Sequence, residues 1–223
     1  MNFKTTLRQK LREPGKYTQA VLRWRRLSFN DAPPIFGNSK PKSGSHLLLQ
    51  ILNGFTQIMP YAYTVADPVR TIEKSGRRRE PSEVADDLRA QPRHAIGWGY
   101  IEAVSENLAV IAKPDRVNYF IYRDPRDAML SAYEYGRRTA EQGRPNFFAQ
   151  FDTFEKAFDF MADYIEIWEA WMNEKRVLVA RYEDLLMDYD DEIESLLDYL
   201  GLDAEDNAVQ GVVENYRRGK ADA

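Results

Sequence analysis

The chain contains no cysteine, which excludes disulfides, thiolate metal sites and cysteine nucleophiles. Histidine is scarce: only His46 and His94 are available for imidazole chemistry. No apolar run approaches the roughly 20 residues that a membrane-crossing helix needs, and the N-terminus lacks the apolar centre of a secretory signal. A cytoplasmic protein is therefore expected. Low-complexity tracts and repeats of fixed period are also missing. Core-forming material is plentiful, with 43% apolar residues, eleven Phe and thirteen Tyr among 223, so an ordered globular protein is expected rather than a disordered one. That length suits one domain over residues 1–223, with a basic helical segment at 1–30 and a core at 35–220.

The formal net charge of −4 conceals an uneven distribution. Lys4, Arg8, Lys10, Arg12, Lys16, Arg23, Arg25 and Arg26 crowd the N-terminus against Glu13 alone, whereas residues 152–206 are acidic. Weak attraction to an anionic lipid surface and a solvated helix packed over the domain both fit that basic segment. Nucleic-acid binding does not fit: the basic patches lack interleaved stacking residues and the whole chain is acidic.

Periodicity predicts two helical stretches split near Pro14-Gly15, then a short strand at residues 35–38 and a polar loop at 39–45. A helix over 46–58 follows, with Leu47, Leu48, Ile51, Leu52 and Phe55 facing inward. Residues 61–65 read as another short strand and 70–91 as a charged surface connection with a short helix. Ala95-Ile96 closes a strand, and helical periodicity resumes from Tyr100 to Ile111. Residues 117–122 form the clearest strand; Asp124 then suits an N-cap and Pro125 a first helical position. Phe151, Phe154, Phe158, Met161, Ile165, Trp168 and Met172 make an apolar stripe read as core. A strand at 176–182 and a helix over 191–200 stopped at Gly201 complete the pattern. Strands alternating with helices argue for an α/β fold of three layers, a mostly parallel central sheet flanked by helices.

Three segments carry chemistry. Lys40-Pro41-Lys42-Ser43-Gly44-Ser45 lies between a strand and a helix, where backbone N–H groups and a lysine can hold an anion; an ordinary polar turn has the same composition. It is not a Walker A loop, because the lysine precedes the glycine. Arg123 ends a strand and Ser131 stands about two turns into the next helix, which suits a second phosphate, or else Arg123 simply pairs with a carboxylate. Arg217-Arg218-Gly219-Lys220 is a cationic patch that alone is no more than a basic tail.

Together with Tyr182-Glu183-Asp184, these segments resemble the ordered motifs of sulfotransferases of the cytosolic type that use 3′-phosphoadenosine 5′-phosphosulfate (PAPS); the resemblance spans residues 35–220. It implies a P-loop NTPase-like sulfotransferase fold and sulfuryl transfer to a hydroxyl or amine, with adenosine 3′,5′-bisphosphate (PAP) as product and no metal. Lys42, Ser43, Gly44, Ser45 and His46 would hold the 5′-phosphosulfate, and Arg123 and Ser131 the 3′-phosphate. Arg217, Arg218 and Gly219 would close over that phosphate, and Tyr182 would lie near the adenine. His94 would be the general base and Lys42 the cation on the leaving oxygen. Where relatives commonly carry two threonines and a tryptophan, this loop has Ser45, His46 and Leu47, and no Lys-Thr precedes His94. A small molecule, lipid or glycan is the expected acceptor, shaped by residues 59–91 and 136–151. A P-loop-type kinase and an inactive nucleotide-binding module are the alternatives.

Overall fold

Six strands form one sheet: β1 (Ile35–Ser39), β2 (Tyr63–Thr64), β3 (Val69–Arg70), β4 (Ala95–Tyr100), β5 (Val117–Tyr122) and β6 (Leu178–Arg181). The helices are α1 (Phe3–Trp24), α2 (Ser45–Phe55), α3 (Pro81–Arg89), α4 (Ser105–Ile111), α5 (Pro125–Glu141), α6 (Phe154–Met172), α7 (Asp184–Met187), α8 (Tyr189–Leu200) and α9 (Asn207–Asn215), with a 3-10 turn at Phe147–Gln150. This computed structural model describes residues 3–29, 33–65, 67–73, 75–144 and 146–217, and over residues 3–13 the course of the backbone only.

The strand order is β2-β4-β1-β5-β6, every named pair is parallel, and β2 and β3 lie end to end along the same edge of β4. A parallel strand covered on both sides can be apolar throughout, because consecutive side chains alternate between two buried faces. Ile35 and Ile121 pack with α2, α8 and α9, whereas their neighbours Phe36 and Phe120 pack with α3, α4 and Trp171 of α6. Because β1 pairs with β4 on one side and β5 on the other, the strand order reverses there. Chains leaving the carboxyl ends at such a point diverge and open a crevice.

Four expectations need correction. Residues 3–24 form one helix rather than two stretches: Pro14 sits inside it, and its carbonyl accepts the Thr18 hydroxyl at 2.9 Å. The charged stretch 70–91 contains part of a strand, β3, which the hydrophobic pattern does not signal because only two residues pair. Tyr100 ends β4 and helix α4 starts only at Ser105. The apolar stripe is only partly core: Phe151 and Met161 are buried, but Phe158 is 58% exposed and Phe154, Ile165 and Met172 are also exposed. Helical spacing identifies a common face without fixing what covers it.

Candidate active site

The loop between β1 and α2 is built to present backbone donors. Lys42 (φ 65°) and Gly44 (φ 90°) are both left-handed and flank Ser43, whose N–H donates to Lys40 O at 3.2 Å. Such turns gather N–H groups into a concavity that attracts anions. Gly44 stands at the N-cap of α2 with no side-chain cap, so the first-turn N–H groups of α2 lack intrahelical partners. Gly44 is also required sterically: a Cβ there would lie 2.2 Å from Tyr182 Cδ2. The Lys42 ammonium lies 4.1 Å from the Tyr135 ring centroid, and its pKa is lowered by burial and then by the charges of Arg138 and Arg123.

On the β5/β6 side, Arg123 follows β5 and its guanidinium lies 5.0 Å from the Tyr182 ring centroid. Arg123 is 3.8 Å from Glu183 and 3.9 Å from Asp127, yet its buried Nε has no hydrogen bond. Glu183 is occupied by the Asp124 N–H (3.1 Å) and Arg181 Nε (3.1 Å). Asp124 caps α5 by accepting from Arg126 N, which fixes where Ser131 emerges.

On the β4/β3 side, Tyr100 exchanges a 2.9 Å hydrogen bond with Ser45. Burial raises the Tyr100 pKa, opposed by the Ser45 bond and by Arg70, so the hydroxyl stays neutral. Asn38 fixes the chain beyond β4, donating to Ile101 O (3.2 Å) and accepting from Ile101 N (3.1 Å). One cavity of about 950 Å³ joins both sides, lined by the loop, Arg123, Ser131 and Tyr182, by Arg70 and Tyr100, and by an aromatic wall including Phe147, Phe160 and Tyr164.

Among the expected site residues, Lys42, Gly44, Ser45, His46, Arg123, Ser131 and Tyr182 line this cavity together. Ser43 does not: its side chain is fully buried beneath the loop. His94 does not reach the cavity either. It precedes β4 at the strands' amino ends, where its ring meets Tyr17 (4.9 Å) and Tyr63 (5.7 Å). The six residues of β4 put it roughly 20 Å from the carboxyl edge. A base must lie within hydrogen-bond reach of the proton it takes, and His94 is not among the residues that line this cavity. Arg217 is engaged elsewhere, paired with Asp190 and Glu214 over the Tyr189 ring, beside a separate small cleft. Arg218 and Gly219 lie outside the described residues.

Four groups near the loop went unassigned at the level of sequence: Lys40, Arg70, Tyr100 and Arg138. Arg70, Tyr100 and Arg138 line the cavity. Lys40 is 4% exposed, and burial lowers its pKa to about 8 against the opposing pull of Asp124. Tyr100 carried a readable signal, since an apolar run ending in a polar aromatic places that residue at a strand's carboxyl end.

Comparison with known proteins agrees with this geometry. Residues 110–219 match the sulfotransferase domain family. Sulfotransferase 2B1 of Mus musculus is 29% identical over 98 residues, which are 42% of this chain and 29% of that protein. The mouse sulfotransferase SULT7A1 complexed with PAP superposes with a TM-score of 0.56 at 17% identity, covering 86% of this chain and 66% of that one. A retinol dehydratase in complex with androsterone and inactive cofactor PAP gives 0.54 at 15% identity, covering 92% and 69%. Residues 110–219 thus resemble the sulfotransferase domain family, and the sheet order agrees with the fold of those solved relatives.

Proposed function

We propose that the protein transfers the sulfuryl group of PAPS to an acceptor hydroxyl or amine. The observation that carries this reading is the convergence on one cavity of Lys42 and the uncapped start of α2 with Arg123, Ser131 and Tyr182. In this reading they are two anion sites, with the Tyr182 ring against both the loop and Arg123. The residues fit a bisphosphate nucleotide: the Arg123 Nε is an orphaned buried donor, and Gly44 lets the Tyr182 ring close against the loop. Lys42, Gly44, Ser45 and His46 hold the 5′-phosphosulfate in this reading, Arg123 and Ser131 the 3′-phosphate, and Tyr182 lies against the adenine. PAP in the two solved relatives supports the choice of nucleotide.

The acceptor oxygen attacks sulfur, the bond from sulfur to the 5′-phosphate oxygen breaks, and that oxygen keeps the electron pair. Lys42 stabilises the charge gathering on it. The Ser45–Tyr100 hydroxyl pair orients the acceptor. The acceptor proton goes to His46, the one imidazole lining the cavity among the described residues. His46→Gln retains a hydrogen-bond donor for the phosphosulfate but no basic nitrogen. It is expected to lower kcat about 10²-fold with PAP affinity unchanged. His94→Gln is expected to leave kcat within about twofold, as befits a ring outside the cavity.

Thermal stabilisation tests the nucleotide reading directly, because a ligand that binds only the folded state raises the melting temperature. PAP is expected to stabilise the protein, and ADP or ATP-Mg²⁺ to do so little. Stabilisation by ATP-Mg²⁺ alone would replace sulfuryl transfer with phosphoryl transfer, and no response to any of the three would end the nucleotide reading.

A further inference from the structure

The nucleotide as assigned above uses the loop and the β5/β6 side, which leaves the β4/β3 side of the cavity without a ligand. At about 950 Å³ the cavity is at the upper end of the roughly 300–1,000 Å³ typical of one small-molecule site, room for a second ligand beside the first. The chemistry of the remaining half is specific. Arg70 stands in its wall with its guanidinium 5.9 Å from the Tyr100 ring centroid. Among the described residues its side chain makes one long hydrogen bond, from Nη1 to Pro68 O at 3.4 Å. No carboxylate among the described residues lies within ion-pair distance of it, and Asp67 acts on it only at longer range. The wall's own carboxylate, Glu73, is held by Arg77 at 2.6 Å and accepts from Ser75. A second cation, Arg138, lines the same cavity and repels Lys42. Phe147, Phe160 and Tyr164, which line the same cavity, form a connected panel of rings, with Phe147 to Phe160 at 5.6 Å and Phe160 to Tyr164 at 4.8 Å.

A half-buried arginine without a carboxylate partner among the described residues, in one cavity with aromatic rings, matches a ligand that is flat and apolar at one end and anionic at the other. A neutral alcohol would leave the guanidinium desolvated and unpaired. We infer that the acceptor is an aromatic or similarly flat alcohol bearing an acidic group, which pairs with Arg70 while the ring lies against the Phe160–Tyr164 panel. Its role as acceptor rests on the sulfotransferase reading above; the anion site does not.

A matched pair of ligands separates the two ideas: 3-(4-hydroxyphenyl)propionate and its methyl ester, tested by calorimetry in the presence of PAP and by transfer from PAPS. The acid is expected to bind about tenfold tighter than the ester, and Arg70→Gln to abolish that preference by weakening the acid alone. Arg70→Lys, which retains the charge, is expected to keep part of it. PAP affinity should be the same in all three proteins. An ester that binds as tightly as the acid to the wild-type protein would overturn the inference, even if the variants fail to fold. So would equal loss of both ligands in Arg70→Gln, or no binding of either at millimolar concentration. Preference for the acid without PAP binding or transfer would instead keep the anion site and remove the sulfotransferase reading.

Discussion

At the scale of single residues the site depends on two unusual positions. Gly44→Ala forces a side chain into left-handed backbone and into the Tyr182 ring, 2.2 Å from the new Cβ. The expected cost is about 1–3 kcal/mol of stability with loss of PAP binding, read by denaturant unfolding and calorimetry. Lys40 is the second. Its pKa of about 8 in the folded protein is below the ordinary 10.5, so the unfolded chain binds more protons between these values. Stability attributable to Lys40 is therefore complete above pH 10.5 and falls away as the pH drops through 8. Lys40→Met is expected to raise the melting temperature at pH 7 and to flatten its dependence on pH between about 8 and 10. The loop's own composition showed two lysines; only the fold shows that Lys42 lines the cavity and Lys40 is buried.

At the scale of elements, β3 carries the acceptor reading, and it approaches β4 only because Gly99 has no side chain: a Cβ there would lie 2.4 Å from Val69 O. Gly99→Ala is expected to displace β3 and Arg70, weakening anionic acceptors while PAP, bound at the other edge of β1, keeps its affinity; calorimetry with both ligands distinguishes the two. The strands of the sheet's middle were legible in sequence because burial on both faces demands long apolar runs, as in residues 117–122, and the Asp124-Pro125 start of α5 because capping chemistry is local. What escaped was non-local. The two residues of β3 have no pattern of their own, and whether Phe158 of α6 is covered depends on elements distant in the chain. The location of His94 was hidden for a related reason: its position before β4 was clear, but the end of the sheet on which it lies follows only from parallel pairing.

At the scale of the whole molecule, an acidic chain of net charge −4 carries a cavity walled by Lys42, Arg70, Arg123 and Arg138. Long-range repulsion and local attraction thus oppose each other for an anionic nucleotide, and the local term governs because a recessed cavity is poorly screened. PAP affinity is expected to fall roughly threefold or more between 50 and 300 mM salt, measured by titration calorimetry; an affinity that rises with salt would mean that the net charge governs instead. The three-layer arrangement was readable from alternation alone, whereas the pairing of the loop after β1 with a ring from β6 was not. That pairing has a temporal side. Gly44 belongs to the central strand's loop, Tyr182 directly follows the strand at the sheet's edge, and β6 pairs with β5 alone among the described strands. Edge strands open before central ones. The nucleotide would then act as a clasp, joining the last strand of the sheet to the first, so that the slowing of hydrogen exchange on binding should be greatest at the edge strand rather than at the loop that grips the phosphate.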